Sequence, residues 1–346
     1  MGRKLLWASL VLAPATFVAD LLHAGHVALF LLAAVALVPL AWLIGEATEH
    51  AAGHTGPGIG GFLNASFGNA PELIIALLAV ADALPNVVRG SLAGSVVSNL
   101  LLVLGVTMLL GPDRAELDRR SLLVQLLLVA VAVLAFLVPA VPGFHGNPER
   151  HSLAVVGIPV AVVLLALYTG VTVANLRRHR RRYAASGGVA TGWSLTRALV
   201  ALGIATAATA LISEILVHSL HSFAKAAGLS EFFVAAVIVA IVGNAAEHGG
   251  AIVIARHGNA ELASEIAVSS SAQVALFVTP AVALLSFAVT PALSLAFRPV
   301  ELGAMGAAAV AVGIAVANGR SRRWEGAVLV VAYLAVVGAF LAVGDR

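Results

Sequence analysis

Two short stretches place a carboxylate inside a long apolar run: Gly68-Asn69-Ala70-Pro71-Glu72 and Gly243-Asn244-Ala245-Ala246-Glu247-His248. An ionisable side chain at bilayer depth costs several kcal/mol, so it points to function by default. In each motif the asparagine and the glutamate are three residues apart and share one face of a helix. Gly68 and Pro71 disfavour a regular helix there, because proline lacks an N–H and its ring clashes with the preceding turn. A local break frees carbonyl oxygens beside the carboxylate, which a membrane tolerates only where the backbone lines a cavity. Carboxylate, amide and carbonyl oxygens are hard ligands of the kind calcium takes, about six to eight at a time. Cysteine is absent, so disulfides are excluded and the soft ligands of copper or structural zinc are missing. The expected chemistry is one cation site shared by the two motifs and filled by a metal ion or by protons.

The segments after each motif carry further polar residues. Ser91, Ser95, Ser98 and Asn99 follow the first, and Ser269, Ser270, Ser271 and Gln273 follow the second. Asn99 and Gln273 read as polar contributors to the site. The serines either join them or, being small, let helices pack closely. His248 projects about 100° away from Glu247. It is either a proton relay, for which imidazole is suited, or a neutral core histidine. Glu46, Glu49, His50 and His54 cluster at the end of the second apolar segment, but not in the His-Glu-x-x-His order of a zinc protease. No nucleophile and base pair can be assembled, so the chain is not read as an enzyme. Glu46 and Glu214 either help ions reach the site or brace their helices, and Glu49, Ser95 and Ser270 are grouped with them as access positions.

The elements that must hold these residues are membrane helices. Of 346 residues, 60% are hydrophobic and 11% charged, against about 25% charged in soluble domains. Apolar runs of spanning length recur throughout. Eleven spans are expected, near 5–22, 25–48, 57–82, 86–110, 121–141, 152–176, 195–224, 231–256, 262–289, 297–318 and 324–344. The first has the charged start of a signal peptide, Arg3 and Lys4, yet reads as a retained helix because more spans follow at once. With the N-terminus cytoplasmic, 15 of the 20 Lys and Arg residues fall on the cytoplasmic side and 5 on the other, as the positive-inside rule requires. The run Arg177, Arg178, Arg180, Arg181 and Arg182 is then a topology anchor, with no nucleic-acid partner implied.

The motifs repeat at an offset of 175: Gly68-Asn69-Ala70 and Glu72 return as Gly243-Asn244-Ala245 and Glu247, and Ser95 matches Ser270. Upstream, Glu46 to His50 resembles Glu214 to His218. The expected fold is an all-α polytopic membrane protein of eleven transmembrane helices. Residues 1–24 form an N-terminal helix, 25–176 a first five-helix repeat, 177–193 a basic cytoplasmic linker and 194–346 a second five-helix repeat. Five is odd, so the repeats lie inverted, as in secondary transporters whose sites sit between the repeats.

At these residues the chain resembles the calcium/proton antiporter (CAX) family of the cation/calcium exchanger superfamily. The resemblance rests on GEATEHAAGHTGPGIGGFLNASFGNAPELIIALLA, GSVVSNLLLVLG, SEILVHSL, IVGNAAEHGGAI, SSSAQVALFVTP and NGRSRRWEGA. It implies an inverted-repeat exchanger with Glu72 and Glu247 as the shared calcium and proton site, and Asn69 and Asn244 nearby. It also implies that Ser98, Asn99, Ser270 and Gln273 line the path and that His248 belongs to a proton-coupled signature. Sodium-coupled relatives carry hydroxyl residues where this chain has Asn69-Ala70 and Asn244-Ala245-Ala246. The chain departs from the family in lacking a proline at Val239-Ala240-Ile241, in having Ser269-Ser270-Ser271 for Gly-Ser-Ser, and in joining its halves by a basic stretch. The function expected is exchange of a divalent cation, calcium with manganese and cadmium as alternatives, for protons across a prokaryotic inner membrane. No cofactor is expected, and no feature sets an oligomeric state. Rival readings are a sodium/calcium exchanger and a passive divalent-cation channel.

Overall fold

A computed structural model describes residues 3–145, 147–183, 192–289 and 291–345, with side chains at 3, 56–59, 61, 62, 64, 65 and 175–183 excepted. The arginine side chains of 177–182 and linker residues 184–191 lie outside that set. The chain is helical almost throughout. Helices α1 (Lys4–Leu21) and α2 (His26–Gly68) are followed by α3 (Ala70–Ala81), α4 (Pro85–Leu110), α5 (Arg119–Gly143) and α6 (His151–Tyr183). After the joint come α7 (Leu195–Ala227), α8 (Glu231–Gly243), α9 (Ala245–Arg256), α10 (Ala260–Ala288), α11 (Pro299–Ala315) and α12 (Arg323–Val343). Among the described residues eight helices are long and apolar enough to cross a membrane, nine if α8 and α9 are one bent span. The chain is therefore a multi-pass membrane protein.

The second half of the expected third span is α3; the expected second span and the first half of the third form one helix of 43 residues, running to Gly68. A straight helix of that length would reach about 65 Å, twice the hydrocarbon thickness. It does not run straight. A Cβ placed on Gly60 would stand 2.7 Å from the carbonyl oxygen of Ala52, whereas eight residues of straight helix rise about 12 Å. The backbone therefore folds back between 52 and 60, where Gly53, Gly56, Pro57, Gly58 and Gly60 concentrate.

Local sequence sets most ends. Asp118, Ser194, Ser230 and Asn259 accept backbone N–H bonds at the starts of α5, α7, α8 and α10, as N-cap residues do. Gly228 closes α7 in the left-handed region at φ 68°. A two-residue bridge, β1 (Ala115–Glu116) with β2 (Arg320–Ser321), ties the segment after α4 to the one before α12.

Helix boundaries follow the spacing of the motifs. Helices α3 and α9 have 12 residues each and begin 175 apart, at Ala70 and Ala245. Helices α4 and α10 also begin 175 apart, at Pro85 and Ala260. Each then widens into a π-helical stretch, at Ser98–Val103 and Val274–Val278. Such stretches concentrate at functional sites.

Glycine brings α4 against α8. A Cβ on Gly94 would stand 2.0 Å from the carbonyl oxygen of Ala236, and one on Gly90 3.0 Å from Phe232. This is a Gly-x-x-x-Gly crossing, in which small residues admit backbone contact. Gly105 and Gly326 make a second such contact between α4 and α12. Helices α2 and α7 share the most extensive helix–helix interface, and Phe30 and Phe223 stack across it at 4.2 Å. Gly94→Ala is expected to cost about 2 kcal/mol or more by overpacking, lowering the thermal unfolding temperature in detergent. Gly203→Ala, with nothing within 4 Å, is expected to leave it unchanged.

Candidate cation site

Helical geometry lapses once in each motif. Asn69, at φ −103° and ψ 17°, separates α2 from α3. Asn244, at φ −91° and ψ 9°, separates α8 from α9, whose axes differ by 58°. Each asparagine therefore stands just outside the helix that carries its glutamate. Glu72 and Glu247 fall in the first turns of α3 and α9. The positive end of each helix dipole lies at that turn. Pro71 sits in that turn without penalty, because its missing N–H would have had no partner.

The motifs interlock. Oε1 of Glu72 lies 3.6 Å from where a Cβ would stand on Gly243, and Oε1 of Glu247 lies 3.7 Å from the same point on Gly68. Each glutamate thus rests against the glycine that opens the other motif, and a side chain larger than alanine there would compete for its space. Glu72 is 7% exposed and Glu247 half-buried. Oε2 of each is buried without a hydrogen-bond partner among the described residues. Such an oxygen needs a proton, a water or a cation. Beside Glu72, bounded by Ser91, Ser95 and Gly243, is a cavity of ≈ 10 Å³, room for about one water-sized sphere.

Amides from the opposite half surround the pair. Asn69 Nδ2 donates to Gln273 Oε1 on α10 at 2.7 Å. Asn244 Nδ2 donates to Ser95 Oγ on α4 and to the Ala240 carbonyl, both at 2.8 Å. Asn99 Nδ2 donates to Asn244 Oδ1 at 3.2 Å and to Ser270 Oγ at 3.0 Å. His248 Nε2 lies 3.0 Å from Asn99 Oδ1, and Ser270 is buried beside them. Ser98 is buried, but its hydroxyl turns back to the Ser95 carbonyl at 3.2 Å.

The remaining predicted positions lie elsewhere. Glu46 pairs with His50 at 3.6 Å, Glu49 is exposed, and the His50 ring stacks on Trp193 at 4.8 Å. Glu214 lines a cavity of ≈ 380 Å³ with Asp20, His26 and His218. The carbonyl of Ala240 and the contact faces of Gly68 and Gly243 are contributions that motif reading misses. The glycines were signalled by their recurrence; a backbone oxygen leaves no mark in a sequence.

The sodium/calcium exchanger protein family matches residues 25–177 and 197–342. The chain belongs to that family. It is 38% identical over 341 residues to the Ca(2+)/H(+) antiporter ChaA of Bacillus subtilis, covering 95% of this chain and 96% of the relative. It is 33% identical over 357 residues to the Ca(2+)/H(+) antiporter of Aphanothece halophytica, covering 96% and 94%. The solved structure of native YfkE superposes with a TM-score of 0.83 at 35% identity, covering 97% of this chain and 99% of that one.

The Asn69–Gln273 bond permits a double-mutant cycle. Gln273→Leu removes the acceptor that the buried Asn69 amide meets and is expected to destabilise the folded protein by about 1–3 kcal/mol. Adding Asn69→Leu should recover part of that loss in detergent-phase thermal unfolding, because both polar partners are then gone.

Proposed function

We propose that this chain is a secondary active transporter that exchanges calcium for protons, with Glu72 and Glu247 as the shared site. The observation that carries the reading is the interlocked pair of glutamates, one from each motif, each with a buried oxygen that no group among the described residues satisfies. The full-length similarity to proton-coupled calcium antiporters supports calcium and protons as the exchanged species. Asn69, Asn244, Ser98, Asn99 and Gln273 complete the polar lining. Glu46, Glu49, Glu214, Ser95 and Ser270 serve access, and manganese and cadmium are further candidate cargoes. The chain performs no covalent chemistry.

Eleven spans, as an N-terminal helix and two inverted five-helix repeats, fit the common register of the helix boundaries. The two spans beyond the nine are α11, at 17 residues, and the segment ending in α3. The N-terminus lies in the cytoplasm and the C-terminus outside a prokaryotic inner membrane, as the charge asymmetry favours. Calcium then leaves the cell as protons enter.

Two adjacent ionised carboxylates are strongly disfavoured where the dielectric is low. The site therefore changes sides only when it holds a divalent ion or protons, about two by charge balance. That restriction couples the fluxes. Access alternates as α2 and α7 move against the motif helices. In sealed vesicles, Glu72→Gln and Glu247→Gln are each expected to cut calcium-dependent proton movement by at least about 100-fold, the scale of a buried charge pair losing one member. Calcium uptake should follow an imposed pH gradient and ignore a sodium gradient. Normal transport by either variant, or uptake driven by sodium, defeats the assignment.

A further inference from the structure

We propose that His248 is a positioning residue which, through Asn99, holds the orientation of the amides and hydroxyls that surround the two glutamates and does so without changing its own charge. The inference rests on the reading that Glu72 and Glu247 hold the cargo.

The argument begins at one backbone oxygen. The Ala240 carbonyl can only accept, and the Asn244 side chain meets it at 2.8 Å. Nδ2 of Asn244 must therefore face Ala240, and its Oδ1 must face Asn99. That Oδ1 also only accepts, so Asn99 presents Nδ2 to it at 3.2 Å. The same Nδ2 reaches Ser270 Oγ at 3.0 Å. Asn99 Oδ1 is left facing His248 Nε2 at 3.0 Å. The imidazole must then carry hydrogen on Nε2, which it does in one neutral tautomer and in the cation alike.

The consequence falls on two serines. Ser95 accepts from Asn244 at 2.8 Å, and Ser270 accepts from Asn99 at 3.0 Å. Each hydroxyl therefore keeps its own hydrogen to give. Ser95 borders the cavity beside Glu72, and Ser270 stands on the Asn99 amide whose oxygen meets His248, the residue next to Glu247. Ser95, Asn99, Asn244, His248 and Ser270 are all at most 7% exposed, so water does not readily substitute for a missing donor.

Removing the Nε2–H leaves Asn99 Oδ1 buried without its donor. The amide is then drawn toward another donor, which loosens its Nδ2 bonds to Asn244 and Ser270. The first motif has Leu73 where the second has His248, and Asn69 is held by Gln273. The two glutamates, alike in backbone setting, are thus oriented by different means.

The test compares His248→Gln, His248→Asn and His248→Leu in proteoliposomes, reading calcium-dependent proton flux against calcium concentration. Glutamine places an amide nitrogen near the position of Nε2 and donates without titrating; asparagine stops short of it. Gln is expected to keep the half-saturating calcium concentration within about twofold of the wild type. Asn and Leu should raise it about tenfold, the scale of one buried acceptor left unmet, with a smaller change in maximal rate. In an Asn99→Ala background the three variants should no longer differ, which keeps the proposal testable if one single variant folds poorly. If Gln is as poor as Asn and Leu, His248 acts by carrying a proton and the proposal is overturned. If Leu equals Gln, the ring only fills space and the proposal is likewise overturned. Glu247→Gln in the same vesicles tests the site assignment separately: its activity would overturn that reading while leaving the His248 comparison intact.

Discussion

Two acids that repel one another in a poor dielectric are the constraint on which the rest of the architecture depends. Their mutual cost and their desolvation are large compared with any single packing contact. Among the described residues no lysine or arginine pairs with either acid to relieve that cost. The structure offers positive helix ends, amide and hydroxyl groups, and room for one small occupant. Partial neutralisation of this kind leaves the pair dependent on a visitor, which a transporter requires and a permanent ion pair would prevent.

The same constraint accounts for how the halves are joined. Each motif is completed by the helix that follows the other motif: Asn69 by Gln273 on α10, Asn244 by Ser95 and Asn99 on α4. Each glutamate packs on the other motif's glycine. Neither half can bury its own acid with satisfied polar neighbours, so the polar network forms only once both halves have met. Apolar packing of α2 on α7 and the glycine crossing of α4 on α8 bring the segments together; the hydrogen bonds then fix one arrangement among several that would bury similar area.

Much of this could be read from residue types alone, for physical reasons. Gly68 and Pro71 foretell a break, and the break stands at Asn69. The recurrence of Gly, Asn, Ala and Glu at an offset of 175 is echoed in helix boundaries, because like sequences meet like requirements for helix starts. The backbone reversal after His50 was harder to place. Glycine and proline mark it over several residues, and helical geometry persists on both sides, so no single position announces the turn. Partner choice was not legible. That Asn99 serves Asn244 and Ser270, while Ser98 beside it turns into its own helix, depends on a π-helical stretch and a crossing angle that a one-dimensional pattern does not encode. Glu214 and Trp193 show the same limit: their residue types were plain, but not the cavity or the ring stack they enter.

The crossing at Gly94 and Ala236 has a mechanical consequence. Backbone set directly on backbone has no rotamers to exchange and little free volume to compress, so α4 and α8 respond to force as one stiff body. A change in bilayer thickness then has to be met by tilting of that body as a unit rather than by movement within it.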